Sequence, residues 1–229
     1  MSQKAVVLSG ALGRMGQEIK QLVRESSVLD LGCEVDRNGV VTEFGSVKSS
    51  SDVVIDFSSP EMFRKALAWA QTQEIPFVSG TTGLEESDFA ELKKAAQKIP
   101  VLWAANMSLG INFLLSLLPQ LRALDGYDIQ VEELHHNRKL DSPSGTAKIL
   151  QNQLVESLGR DLPDPVAIRG GGIFGIHKVW VMAEEEYLVL EHTALNRKIF
   201  ARGAVRAAEW ILSRPPGQYQ IKDMLGVGE

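Results

Sequence analysis

The chain begins with a short run of β-branched and apolar residues, Lys4-Ala5-Val6-Val7-Leu8-Ser9, that stops at Gly10. From Gly13 to Glu25 the apolar positions fall at Met15, Ile19, Leu22 and Val23, and that spacing predicts a helix. Strand, glycine turn, helix is thus the first motif. Four more short apolar runs follow at Leu29–Val35, Val53–Phe57, Pro76–Ser79 and Val101–Ala104, and unbroken runs of this kind suit strands buried on both faces. Between the third and fourth runs, Ser59-Pro60 supplies a cap and a first-turn proline for a helix reaching Gln73. Between the fourth and fifth, Ser87–Lys98 predicts another helix, closed before Pro100. Strands alternating with helices predict an α/β domain, a Rossmann-type doubly wound parallel sheet.

After Asn106 the alternation stops. One apolar helix, Leu109–Leu124, leads into segments of period two at Ile129–Leu134, Lys178–Met182 and Tyr187–His192. A helix is expected after Pro143-Ser144-Gly145, and Phe200–Leu212 makes a last one. This pattern predicts an α+β second domain with an open mixed sheet, whose free face suits pairing with another subunit. The expected division is residues 1–106, with the segment from about 201 to 229 packing back, and residues 107–200. No Pro- or Gly-rich linker separates the two, so the boundary near Asn106 reads as a strand-to-helix hinge.

Composition narrows the partners. Lys and Arg number 24 against 29 Asp and Glu, a formal charge of -5, which gives no general electrostatic reason to expect nucleic acid or an anionic membrane. No apolar run approaches the ~20 residues of a membrane span, and the first apolar run is too short for a secretory core. Cys33 is the one cysteine, so neither an intramolecular disulfide nor a cysteine-based zinc site is expected, and a reducing, cytoplasmic setting is.

Three stretches carry candidate chemistry. Gly10-Ala11-Leu12-Gly13-Arg14-Met15-Gly16 is a G-x-x-G-x-x-G between a strand and a helix. Glycines there let the backbone approach a pyrophosphate at the positive end of the helix. Asp36, about 20 residues beyond Gly16, can accept from the ribose hydroxyls, while Arg37 beside it would attract a 2'-phosphate, so NADH and NADPH are both open. Gly80-Thr81-Thr82-Gly83 and Ala104-Ala105-Asn106-Met107 follow the fourth and fifth strands, where open α/β sheets place ligands. The plainer alternatives are a helix entry, with Thr82 as N-cap and Glu85 completing a capping box, and a turn at Asn106.

The third stretch, Glu133-Leu134-His135-His136-Asn137-Arg138-Lys139-Leu140-Asp141-Ser142-Pro143-Ser144-Gly145-Thr146-Ala147, is the most informative. Helix-opening N–H groups with Lys139 and His136 would receive a carboxylate, and a His and a Lys within one turn could deliver a proton. A solvated basic loop is the competing reading. The spacing lacks a helical H-E-x-x-H and any cysteine support, so no metal is expected. His177 and His192 fall on predicted strands and read as hydrogen-bonded structural residues, whereas Arg169 and Arg197 are further candidate anion anchors.

Taken together, these residues resemble the 4-hydroxy-tetrahydrodipicolinate reductase (dihydrodipicolinate reductase) family of lysine and diaminopimelate biosynthesis. The resemblance is carried by Gly10 to Gly16, Asp56-Phe57-Ser58 with Pro60, Gly80 to Gly83, Ala104 to Asn106 with Ser108 and Gly110, and above all by His135 to Ala147. Gly175-x-His177 and Arg197-x-x-Phe200-Ala201-x-Gly203-Ala204 extend it over essentially the whole chain. It implies that Gly10, Ala11, Leu12, Gly13, Arg14, Met15, Asp36, Arg37, Gly80, Thr81, Thr82, Ala104, Ala105, Asn106 and Met107 contact NADH or NADPH. It further implies that His135 is the acid/base residue, Lys139 a proton donor, and His136, Lys139, Ser144, Gly145 and Thr146 the site of a small dicarboxylate substrate. A homotetramer is implied as well. Met107 stands where the family commonly has an aromatic residue, and Ile176 where an acid is frequent. The alternatives are another two-domain NAD(P)-dependent dehydrogenase of a keto or imino acid, and a non-catalytic NAD(P)-sensing module. The -5 charge gives a DNA-binding sensor no support.

Overall fold

The computed structural model describes residues 2–36, 44–47 and 50–227. Arg37, named above for the 2'-phosphate, lies outside the described residues. The chain divides into two compact units, residues 1–109 with 197–226, and residues 110–196 with 227–229.

In the first unit, β1 (Lys4–Ser9), β2 (Leu29–Val35), β3 (Val53–Asp56), β4 (Phe77–Ser79), β5 (Pro100–Trp103) and β10 (Gly217–Tyr219) form one sheet. Its order is β10-β5-β4-β3-β1-β2, with every pairing parallel. Successive residues of β1 feed opposite cores: Val6 and Leu8 pack with Ile19 and Val23 of α1 (Arg14–Glu25) and Ala204 and Ala208 of α6 (Lys198–Ile211). Val7 packs instead with Phe63 of α2 (Pro60–Gln73) and Leu92 of α3 (Glu86–Ala95). Burial on both faces is why these strands read as continuous apolar runs rather than alternations. The order reverses at β1, which pairs with β2 on one side and β3 on the other, and open sheets bind ligands outside the carboxyl ends of the strands at such a switch.

The second unit holds β6 (Asp128–His135), β7 (Val166–Arg169), β8 (Gly175–Met182) and β9 (Tyr187–Ala194) in a mixed sheet of order β7-β6-β8-β9. The β6–β7 pairing is parallel, while β6–β8 and β8–β9 are antiparallel. On one face Ile129, Val131, Val179 and Val181 pack against Leu150 and Leu154 of α5 (Gly145–Leu158). The alternation that buries Ile129 and Val131 also buries Glu133 and His135, two polar residues further along the same strand face.

Three expectations change. The helix predicted over Leu109–Leu124 is α4 (Leu109–Leu117) followed by a 3-10 turn at Leu118–Ala123. Pro119 lacks the N–H that continuing α geometry would use. Strands β7 and β10 carry no period-two signal of their own, being four and three residues long at sheet edges. Helix α3 starts at Glu86 with Glu85 as N-cap, not at Thr82, and the Glu85 N–H donates to Asp88 at 2.9 Å. A short C-terminal helix, α7 (Ile221–Leu225), completes the described chain, and no described helix is long and apolar enough to cross a membrane.

Candidate active-site regions

The predicted residues fall in two regions, one in each unit, and only some of them meet. In the first unit, β1 ends at Ser9 and the chain turns through Gly10, whose φ is +81°. A Cβ added at Gly10 would lie 2.2 Å from the Phe57 carbonyl oxygen, so only glycine admits this close approach. The turn runs into Gly13, the N-cap of α1, whose first N–H groups have no intrahelical acceptor. Gly10, Leu12, Gly13, Asp36, Phe57, Ser58, Ser59 and Met62 line a cavity of about 270 Å³ at the carboxyl ends of β1, β2 and β3. Asp36 reaches into the turn and accepts the Leu12 N–H at 3.1 Å. A glycine turn that backbone crowding keeps bare, a helix N-terminus and a carboxylate at the next strand end fit a dinucleotide.

The residues after β4 serve this region by a different route. Thr81 is buried, and its hydroxyl donates to Asp56 at 2.7 Å while accepting the Ser58 N–H at 2.9 Å. Ser79 donates to the same Asp56 oxygen at 2.8 Å, and Ser58 bonds to the other oxygen of the carboxylate. Asp56 therefore ties the loop after β3 to the loop after β4. Burial pushes its carboxyl above the usual range, against the pull of these hydroxyls. Asn106 occupies a turn, its carboxamide accepting the Ser108 N–H at 2.9 Å. Met107 packs into the core with Ala201 and Ala204.

In the second unit the His135–Ala147 stretch folds over the polar end of the sheet. Ser144 caps α5 by accepting the Ala147 N–H at 3.2 Å, so Gly145 and Thr146 open a 14-residue helix. Lys139 Nζ lies 2.8 Å from Asp141, whose other oxygen accepts the Gly145 N–H at 3.3 Å. Lys139 beside it holds the Asp141 carboxyl below the usual carboxylate range. The cation and helix-opening N–H expected to receive an anion thus already serve a carboxylate of the chain. His136 is anchored by its N–H to the Ile173 carbonyl at 2.7 Å, and its buried Nδ1 has no partner among the described residues.

Beneath the loop lies Glu133, the first residue of the stretch and one to which the motif gave no role. Glu133 is fully buried and accepts from both terminal guanidinium nitrogens of Arg169, Nη1 at 2.9 Å and Nη2 at 2.7 Å. It also accepts the Ser144 N–H at 3.0 Å and bonds to His135 Nδ1. Arg169, expected as an anion anchor, is therefore committed to an internal ion pair. Burial pushes Glu133 up, but the hydrogen bonds from Arg169, His135 and Ser144 outweigh it and leave the carboxyl below its ordinary range. For His135 burial is the larger effect, and its pKa falls despite Glu133. His177, opposite Glu133 in the β6–β8 register, sits 3.3 Å from the Ser144 hydroxyl, and burial together with neighbouring His135 and His192 pushes it down to about 4. A carboxylate two residues before a histidine on a strand shares its face, and that spacing is the signal that could have found Glu133.

The fold and the glycine-turn crevice place the chain in the class of nucleotide-binding α/β proteins that carry a second, mixed-sheet unit. The chain belongs to the dihydrodipicolinate reductase family: models of that family match at residues 4–107 for its N-terminal part and 110–225 for its C-terminal part. It is 45% identical to 4-hydroxy-tetrahydrodipicolinate reductase of Bdellovibrio bacteriovorus, covering 98% of this chain and 97% of that one. The same enzyme of Anaplasma marginale is 38% identical, covering 94% and 97%. A solved dipicolinate-bound dihydrodipicolinate reductase from Paenisporosarcina sp. TG-14 shares the fold, with a TM-score of 0.84 at 19% identity over 98% of this chain and 100% of that one.

Proposed function

We propose that the chain reduces 4-hydroxy-tetrahydrodipicolinate to tetrahydrodipicolinate in an NAD(P)H-dependent reaction with loss of water. The observation that carries this reading is that Glu133 ties His135, and Asp141 ties Lys139, to Ser144 and Gly145 at the opening of α5, beside His136 and Thr146 in sequence, in a chain whose other unit has a dinucleotide-type crevice. The Paenisporosarcina relative binds dipicolinate, a planar dicarboxylate of related shape.

Gly10, Ala11, Leu12, Gly13, Arg14 and Met15 would hold the cofactor diphosphate, with Asp36 on the ribose, Arg37 beside it, and Gly80, Thr81, Thr82, Ala104, Ala105 and Asn106 toward the nicotinamide, backed by Met107, whose side chain is buried in the core. With Asp36 and Arg37 adjacent in sequence, both NADH and NADPH are accepted. When bound, the reduced nicotinamide supplies a hydride. The substrate carboxylate displaces Asp141 from Lys139 and from the Gly145 N–H, exchanging one carboxylate for another at little electrostatic cost. The ring loses its hydroxyl and one hydrogen as water, and the resulting unsaturated ring gains one hydride and one proton. His135, as the acid/base residue, and Lys139, as a proton donor, serve the atom where negative charge builds, which lowers the barrier. The protein works in the cytoplasm as a homotetramer, joined through the open face of the second sheet, where Tyr187 is 70% exposed.

The test is to follow NAD(P)H loss with enzymatically generated substrate. His135→Gln is expected to lower turnover by about a hundredfold or more with little change in cofactor affinity. Lys139→Ala is expected to lower both turnover and substrate affinity. Full activity in the double variant would remove the assignment.

A further inference from the structure

We propose that Glu133, clamped by Arg169, is a positioning residue that fixes the tautomer and direction of the His135 ring and locks that ring to the helix that opens the substrate site. The proposal rests on the reading of His135 as acid/base residue. Its warrant is the way four donors converge on one fully buried carboxylate. Arg169 grips both oxygens, the Ser144 N–H takes one, and His135 Nδ1 takes the other. Arg169 stands opposite His135 in the β6–β7 register and carries a further bond from Nη2 to the Asp141 carbonyl at 2.7 Å. One carboxylate thereby ties together the imidazole, the N-cap of α5 and the loop bearing Lys139.

The chemistry of the arrangement decides the tautomer. An ionised carboxylate only accepts hydrogen bonds, so the His135 nitrogen facing Glu133 must be the protonated one. Nε2 is then the nitrogen left to give or take a proton. Gly175 packs closely beside it: a Cβ added there would lie 3.0 Å from Nε2 and would press on the ring. Arg169 does the second half of the work. A lone buried carboxylate would make the imidazole strongly basic, whereas the paired guanidinium cancels its charge and leaves its geometry. The charged and titratable groups around the ring are Glu133 on its own strand, Arg169 on β7, His177 on β8 with His192 behind it on β9, and Lys139 on the loop.

The decisive measurement is made on the unaltered protein. With histidine labelled by ¹⁵N, the neutral His135 ring, assigned by its loss in His135→Gln, should show a protonated Nδ1 and a bare Nε2. A ring protonated at Nε2 would overturn the proposal whatever the kinetics. Glu133→Gln should lower kcat by about a hundredfold while leaving cofactor KM within about twofold, and should move the acid limb of the kcat profile to lower pH, because the Arg169 guanidinium then faces the imidazolium without its counter-charge. If that variant is too unstable to assay, Glu133→Gln with Arg169→Gln removes both charges together and should show the same loss of kcat. Wild-type kcat in either variant would also overturn the proposal. Full activity in His135→Gln would instead sink the acid/base reading, and the tautomer result would stand apart from it.

Discussion

Among the described residues two carboxylates are fully removed from water, Asp56 at the end of β3 and Glu133 near the end of β6, and they are handled in opposite ways. Asp56 is met by the hydroxyls of Ser58, Ser79 and Thr81, neutral donors that can rotate, and its carboxyl is pushed up by burial. Glu133 is met by a guanidinium, an imidazole and a backbone N–H, and it is held down against the same burial. Hydroxyl dipoles suffice to tie two loops together but not to keep a buried charge comfortable. A cation in fork geometry does both. The first unit therefore uses its buried acid as a hub for loops, and the second commits its acid to one charged partner and one ring.

The largest effect that would sharpen this contrast is on stability. Glu133→Gln leaves Arg169 without its counter-charge and is expected to cost about 3–5 kcal/mol. Asp56→Asn, whose neighbours can reorient, should cost nearer 1 kcal/mol. Hydrogen exchange of the β6 and β3 amides would read the two units separately, and equal losses would break the comparison.

Acid should act on the two units with opposite sign. His177 has its folded pKa pushed down to about 4, so its contribution is present above the unfolded value of about 6.5 and is lost as pH falls toward the folded one, about 3 kcal/mol in all. Glu133, also lowered, loses its contribution further down, as pH falls through its folded pKa. Asp56, with its folded pKa raised, contributes stability at low pH and loses it as pH rises through that value. Opening free energies from hydrogen exchange at pH 7 and pH 5 should therefore fall for β6 on acidification and not for β3. Parallel weakening of both would contradict the assignment.

The smallest expected effect compares two caps. Ser144→Ala removes the 3.2 Å bond to the Ala147 N–H and should cost about 1 kcal/mol. Ser59→Ala removes a longer bond, 3.4 Å to the Met62 N–H, and should cost about 0.5 kcal/mol by the same exchange measurement.

Much of this architecture is legible one residue at a time. Strands buried on both faces read as apolar runs, Gly10 announces a turn that only glycine can make, and Ser59 and Ser144 mark helix starts, because each property belongs to a short stretch of chain. The His135–Thr146 string likewise carries its chemistry in its own order. What the folded molecule alone decided are the meetings between distant stretches. Arg169 joins Glu133 across 36 residues, and Thr81 joins Asp56 across 25. Strands β7 and β10 exist because β6 and β5 offer them an edge, since four and three residues hold too few alternating positions to declare themselves. Periodicity and capping are local energies written into neighbouring residues, whereas a buried charge finds its partner only when burial has made water unavailable and the chain has brought an opposite charge within reach.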